Sequence, residues 1–322
     1  MSIQTVSSLG DLAKGVDARF LEVFDENESA YISRLKSIFK VKSSDKAREQ
    51  TKLKAGLGLL QKKTEGDVVP RTNQQFAYQT EFIPDTYAKG VTVTMEELQD
   101  RDWTDKLDEF KDLTLSSRLS EEKAMAQVLN GAFATTVAVN GFDISFLNDA
   151  VPMCSTVHPR YDGGSSQSNA SSTGISLDDD NLETARLAVI NQLTDDGTPV
   201  SIMDRFMLVV PPALEKTAQQ ITGSELVIDT ANNNVNIYKG KIDVMSVNWL
   251  GAAHGGSDLA WFLIVPGQSK LMFIDRLSPT FDMNVDGNTK DRSYDVLARW
   301  SVGYSDWRYT WGSRGDGVAY SS

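Results

Sequence analysis

An α+β fold is expected from three features of the 322-residue chain. Apolar residues recur at three- and four-residue spacing across residues 10–39 and 94–133, as the buried stripe of a helix requires. Strict alternation runs through SYDVLARWSVGYSDW, where Tyr294, Val296, Ala298, Trp300, Val302 and Tyr304 share one face, the period of a half-buried strand. Helical and strand-like segments do not follow the βαβα order of a doubly wound sheet. No internal repeat is found. Hydrophobic residues make up 40% of the chain, enough for a substantial core in one large or two intertwined domains.

From the N-terminus, Phe20, Leu21, Phe24, Tyr31, Ile32, Leu35 and Phe39 carry the helical period. Residues 40–65 are polar, basic and punctuated by GLGLL at 56–60, and are expected to pack poorly alone. Residues 65–95 contain turn signals at Gly66-Asp67, Pro84-Asp85 and Lys89-Gly90. Between them Phe76, Tyr78 and Phe82, then Val91, Val93 and Met95, alternate. This reads as a two-stranded excursion, and such a ribbon is marginal in water unless it lies on something. Thr94 and Glu97 form an expected capping box. Leu115, Leu119, Met125, Ala126, Leu129, Ala132 and Phe133 then predict a long helix, with a bend near 110–114.

Residues 134–181 read as irregular and end in GGSSQSNASSTG, a Gly/Ser-rich surface loop. A helix follows, with Asp180 and Glu183 as its capping box, Leu182–Leu193 as its body, and Gly197 and Pro199 beyond its end. FMLVV at 206–210 is a strand running into Pro211-Pro212. A helix to about 222 follows, with Leu214, Ala218 and Ile221 on one face, and proline suits its start because the missing N–H has no partner there anyway. Strands are expected near 241–249, 260–266 and 271–275. The stretch after Tyr294 is expected to be the longest strand, and the tail past Trp311 to be exposed.

One cysteine, Cys154, rules out an intrachain disulfide and suits a reducing compartment. No apolar run approaches the ~20 residues of a membrane-spanning helix. The net charge of −12 disfavours general nucleic-acid binding over the whole surface. The charge is uneven: residues 34–63 hold ten Lys/Arg against Asp45 and Glu49, a local +8 that leaves −20 elsewhere. Such a segment is either a solvated basic face or an arm that lies on an acidic surface.

Signals for catalysis are weak. His158 and His254 are the two histidines, and both read as loop residues. Cys154 and His158 are four apart but lack the further ligands of a zinc site. There is no nucleophile elbow and no phosphate-binding P-loop. The run Asp178–Asp180 suits the positive end of a helix. Arg314-Gly315-Asp316 and the sequon at Asn169 are short enough to match by chance. Trp300, Tyr304, Trp307, Tyr309 and Trp311, beside Arg299 and Arg308, fit core or subunit packing better than base stacking.

Taken in order, SSDKAREQ (43–50), EGDVVPR (65–71), YAKGVTVTMEEL (87–98), VLNGAF (128–133), STVHP (155–159), LETARLAVINQ with DDGTPV (182–200), LVVPPALEKTAQQI (208–221) and VGYSDWR (302–308) resemble the major capsid protein of tailed bacteriophages. The fold implied is the Hong Kong 97 phage-type capsid fold, and the branch resembled most is the Mu-like major head subunit. The resemblance implies an N-terminal arm (1–49), an extended loop (50–93), a peripheral domain (94–181 and 263–322) with its spine helix at 94–133, and an axial domain (182–262). It implies self-assembly into hexamers and pentamers of an icosahedral shell in the bacterial host cytoplasm. The shell would enclose double-stranded DNA without reading its sequence, with no enzyme activity, cofactor, metal or membrane. A portal protein is implied as partner, and a decoration protein is compatible with it. Because only 40–50 residues precede the extended loop, a separate scaffolding protein is expected. Combined with the +8 segment, the resemblance marks Arg48, Lys52, Lys54, Lys62, Lys63, Arg71, Phe76, Tyr78, Phe82 and Tyr87 as candidate intersubunit contacts. The alternatives are an encapsulin-type compartment shell and a cytoplasmic hydrolase built on carboxylates with His158 or His254.

Overall fold

The structure, a computed structural model, describes residues 6–30, 33–71, 73–100, 104–135, 144–202, 205–224 and 236–319. The expectations for Tyr31, Ile32 and most of the polar turn at 230–236 lie outside these residues.

Helix α1 (Val6–Ala30) buries Ala13, Val16, Phe20, Val23 and Phe24 on one side. Leu21, one residue and 100° further round, faces solvent instead. The helical period does not run through to residue 39. A single 3₁₀ turn at Arg34–Ser37 follows, capped by Ser33, whose Oγ accepts from the Leu35 N–H. Leu35, Ile38 and Phe39 therefore enter a different core from Phe20.

The basic stretch is more ordered than its composition suggests. It forms β1 (Lys40–Ser43) and β2 (Glu49–Lys54). All four β1 side chains are exposed, so backbone pairing holds it, and lysines on an edge strand discourage further pairing. β2 pairs with β3 (Phe76–Phe82). The next strand, β4 (Asp85–Val93), leaves the ribbon and joins the strand at Arg292–Tyr304. The two-stranded excursion is thus 49–54 with 76–82, not 76–82 with 91–95. Val91 and Val93 alternate onto the core beneath α1, which draws β4 into the main sheet.

In α2 (Met95–Asp100) the capping box forms as expected. The Thr94 N–H donates to Glu97 Oε2 at 2.9 Å, and the Glu97 N–H donates to Thr94 Oγ1 at 3.2 Å. α3 (Thr104–Asn130) runs unbroken through 110–114, where a bend was expected. Leu115 is exposed, while Ala124 to Leu129 are buried all round. After the short β5 (Ile144–Ser145) comes α4 (Asp179–Ile190). Its cap is Asp178, whose Oδ1 accepts from the Asn181 N–H at 2.8 Å. Glu183 instead pairs with Arg186, so Asp180 and Glu183 do not form the box.

β6 (Phe206–Val210), α5 (Pro212–Gly223) and β7 (Ile242–Ser246) follow. β6 and β7 are parallel, the arrangement that needs a crossover, here running through α5. β8 (Trp261–Ile264), β9 (Leu271–Val285), β10 (Arg292–Tyr304) and β11 (Thr310–Ser313) complete the chain. β9, at 15 residues, is longer than β10 at 13. Ser278-Pro279 concealed its length. The β9–β10 register shifts there, between the Leu297–Thr280 and Arg299–Leu277 pairs, and a bulge is where a strand tolerates proline.

The larger sheet has the order β1-β9-β10-β4, with β5 on β10; the second has β11-β8-β6-β7. One core lies between the sheets and is closed by the last turns of α3: Trp300, Val302 and Tyr304 meet Val209, Phe262 and Met125. A second core forms on the other face of β6 and β8, beneath α4 and α5, where Leu208, Val210 and Leu263 meet Leu182 and Ala218. A third holds α1: Phe20 stacks on Tyr294 with ring centroids 4.0 Å apart, and Asp17 accepts from the Tyr294 hydroxyl at 2.8 Å and from Arg292. Phe20→Ala is expected to lower unfolding free energy by about 3–5 kcal/mol, the usual loss for a buried phenylalanine. Urea denaturation measures it; an unchanged midpoint would mean that α1 is not docked.

Candidate intersubunit contact site

The β2–β3 ribbon continues into residues 55–75, which contain no strand or helix among the described residues. At its base the Ala55 N–H donates to the Gln75 carbonyl at 3.0 Å. The second fixing point is Asp196, in the turn after α4. Its backbone N–H donates to the Ala55 carbonyl, and its carboxylate accepts from the Gly58 N–H. Gly56 sits at φ 108°, and a Cβ there would come 2.5 Å from Asp196 Oδ2, so both backbone conformation and space demand glycine. Burial alone would raise the Asp196 pKa. Hydrogen bonds from Thr194, Thr198 and the Gly58 N–H outweigh it and hold the carboxyl well below the usual carboxylate range.

Beyond this anchor the loop shows apolar side chains to solvent. Leu57, Leu59, Leu60, Val68 and Val69 are all exposed, Leu60 completely. Lys54, Lys62, Lys63 and Arg71 are exposed around them. A run of leucines and valines in water, rimmed by cations, has the character of a contact surface. Charge alone does not reveal this surface. Its available signal in the sequence is GLGLL, three leucines in five residues next to the basic stretch.

The expected contact residues separate into two groups. Lys52, Lys54, Lys62, Lys63, Arg71 and Phe76 lie exposed on the ribbon and loop, with Lys52 Nζ 5.4 Å from the centre of the Phe76 ring. Arg48 is also exposed but pairs with Glu81 at 2.7 Å within the chain. Tyr78 packs against the main core, and Tyr87 stacks on Trp300 at 4.1 Å. Phe82 is fully buried against Met272 and Ile274. It cannot meet a neighbour, and its work is to hold the ribbon onto the sheet. The +8 stretch is likewise partly neutralised at home: Lys36 pairs with buried Glu121 at 2.7 Å, and Lys42 and Lys46 pair with Glu49.

The histidines do not form a hydrolytic site. His158 is buried rather than on a surface turn, with its ring stacked on Trp307 at 4.1 Å. Its Nε2 is 3.0 Å from Asn169 Oδ1, and its Nδ1 is 3.5 Å from Asp149. The nitrogen that would activate a nucleophile is therefore occupied by an amide. Asn169, expected in a loose loop, is fully buried and donates to the Met153 and Trp307 carbonyls. Cys154 is buried, and burial pushes its thiol pKa up, away from reactivity. His254 lies in a 3₁₀ turn against Trp249. The C-terminal aromatics are core residues as expected. Beside them Arg308 is buried in a bridge to Asp195 (2.7 Å) and Asp306 (3.4 Å).

A family model described as "Phage capsid protein" matches residues 77–311. Among solved structures, the mature capsid of bacteriophage PhiM1 is similar at 12% identity and a TM-score of 0.51, covering 88% of this chain and 87% of that one. The capsid of Ralstonia phage GP4 gives 12% identity and 0.51, covering 87% of each chain. The capsid of bacteriophage JBD30 gives 15% and 0.51, covering 69% of this chain and 92% of that one. At such identities the structural likeness speaks for the fold. No curated protein matches the chain by sequence.

The Asp196 anchor has a pH signature. A carboxyl held low in the folded chain stabilises it fully above its ordinary pKa of about 3.9, and that contribution is lost as pH falls through the lower, folded value. Asp196→Ala is expected to speed tryptic cleavage at Lys62 and Lys63 several-fold at pH 7. As pH falls from about 4 toward 2, peptic cleavage near Leu59–Leu60, normalised to an unstructured control peptide, is expected to accelerate in the parent chain but not in the variant. Equal cleavage of both chains at pH 7 would refute the anchor.

Proposed function

The chain belongs to the phage capsid protein family, and from that premise we propose that it is the major head subunit of a tailed phage, closest to the Mu-like branch. It is a structural protein of a capsid shell with the Hong Kong 97 phage-type fold, not an enzyme. Hexamers and pentamers of the chain close an icosahedral shell around double-stranded DNA. The observation that carries this reading is the 55–71 loop, which is anchored at its base and leaves Leu57, Leu59, Leu60, Val68 and Val69 uncovered. A subunit of a thin wall obtains part of its apolar burial from neighbours, and obligate interfaces of this kind exceed about 2,000 Å².

In this reading residues 1–49 are the N-terminal arm and 50–93 the extended loop that reaches over a neighbour. Residues 94–181 and 263–322 form the peripheral domain with its spine helix, and 182–262 the axial domain around the symmetry axes. The ribbon's strands at 49–54 and 76–82, and the exposed cations Lys52, Lys54, Lys62, Lys63 and Arg71, support the extended loop as the arm that crosses to the next subunit. A −12 chain also makes a wall to which DNA does not adhere, so a genome can move as it packs. A separate scaffolding protein and a portal complete the proposed assembly in the host cytoplasm, with room for a decoration protein. A phage capsid family match is the reason to prefer a genome over an enzyme cargo as the contents.

Electron microscopy of the purified chain, alone and with a scaffolding protein from its own gene neighbourhood, is expected to show closed shells or hexamer–pentamer sheets. Leu59→Ser/Leu60→Ser is expected to abolish them while leaving far-UV circular dichroism unchanged. Lys62→Glu/Lys63→Glu is expected to weaken assembly most at low ionic strength, where surface charge is least screened. A parent chain that stays monomeric in every condition would overturn the shell reading.

A further inference from the structure

A cleft of about 370 Å³ opens where β2 passes the start of β9 and the turn after α4. Lys40, Lys52, Lys54, Lys270 and Arg308 line it, and Asp306 is the one acid among its described lining residues. None of the four lysines makes an ion pair among the described residues, whereas Lys36, Lys42, Lys46 and Arg48 nearby all do. Lys52 and Lys270 lie over the rings of Phe76 and Tyr309 instead. Arg308, 3% exposed, spends its two terminal nitrogens on Asp195 and Asp306, and its Nε is buried with no hydrogen-bond partner. Burial raises the pKa of Asp306 and Asp195 adds to it, while Arg308 and Lys270 oppose the shift, so one acid faces all five cations of the cleft. Four lysines lining one concave site with a single buried acid leave the cleft with excess positive charge, which suits it to receive carboxylates.

The same chain carries the complementary group. Asp178, Asp179 and Asp180 crowd the start of α4. Burial, then repulsion from Asp180, Asp178 and Glu183, raises the Asp179 pKa; this end lacks enough positive charge. α4 has 12 residues, so its ends are about 18 Å apart. Thr194 and Val200, just past its far end, line the cleft. The acidic and basic sites of one subunit therefore stand at opposite ends of one helix and do not meet.

We propose that the cleft binds the acidic start of α4, Asp178–Asp180, from a second copy of this chain. Such a contact is head-to-tail, joining two different surfaces, and repeats of it close into a ring when the rotation fits. The inference rests on the shell reading for its setting, and gives rings within that shell a specific electrostatic register.

Three variants and a peptide test it. The cleft swap is Lys40→Glu/Lys54→Glu/Lys270→Glu, the acid swap is Asp179→Lys/Asp180→Lys, and the third chain combines them. Each swap alone is expected to remove ring and shell formation seen by sedimentation and microscopy, and the combination to restore it. Independently of assembly, a labelled peptide spanning residues 175–184 is expected to bind the isolated subunit at low ionic strength. Binding should be at least about thirtyfold weaker in the cleft swap, as loss of a desolvated charge contact gives. If the triple variant unfolds by circular dichroism, Lys54→Glu alone, at an exposed site, carries the peptide measurement. Normal shells from either single swap, no rescue by the combination, or no peptide binding to the parent chain would each overturn the contact. Failure of the parent chain to assemble would count against the shell reading, and the peptide would still decide this contact.

Discussion

β10 is the strand on which the subunit depends. It pairs with β9 along its length, with β4 on its other edge, and with β5 at its end. One face presents Tyr294 and Val296 to α1 and the start of α3, then Trp300, Val302 and Tyr304 to the core between the sheets. A single uninterrupted alternation thus builds two cores in series. A one-residue slip of register would turn every one of those side chains to the wrong face. The bulge at Ser278-Pro279 absorbs the mismatch on β9 and leaves the alternation of β10 intact.

That same regularity explains what was legible in the sequence. Where one face is more buried than the other, as along Tyr294–Trp300, the period is visible and the assignment holds. The Thr94–Glu97 cap and the Pro211-Pro212 helix start were legible because their chemistry is local. β1 was not: its side chains are all exposed, so nothing in its composition distinguishes it from a loop. The partner of β3 was hidden for a different reason. Twenty-one residues of loop separate β2 from β3, and the nearer candidate, 91–95, is drawn instead into the sheet beneath α1. His158 and Asn169 looked like surface residues because a buried polar pair has no sequence period. Only the fold shows that each supplies what the other needs, together with the Met153 and Trp307 carbonyls.

The candidate contacts divide along the same line. Charge could be counted from the sequence, but not where it is spent. Lys36, Lys42, Lys46 and Arg48 are matched by Glu121, Glu49 and Glu81, pairs spent within the chain itself. Among the described residues of that basic stretch, Lys62 and Lys63 stand exposed on the loop among the leucines, and Lys40, Lys52 and Lys54 line the cleft beside the ribbon's base. Aromatic residues sort similarly. Phe82 and Tyr87 belong to the subunit's own packing, and Phe76 is left on the outside.

A rigid base with an uncovered tip is a coherent design for a part that must reach a neighbour. If the loop were unattached, ordering it on contact would cost conformational entropy at each residue and would weaken every interface it made. Asp196 removes much of that cost, because it holds Ala55 and Gly58 before any neighbour arrives. If the loop were instead packed on its own subunit, its leucines would have no reason to leave. The structure lies between these limits, with the backbone fixed at the root and the apolar side chains unsatisfied beyond it. Burial for those side chains is then available only from another molecule.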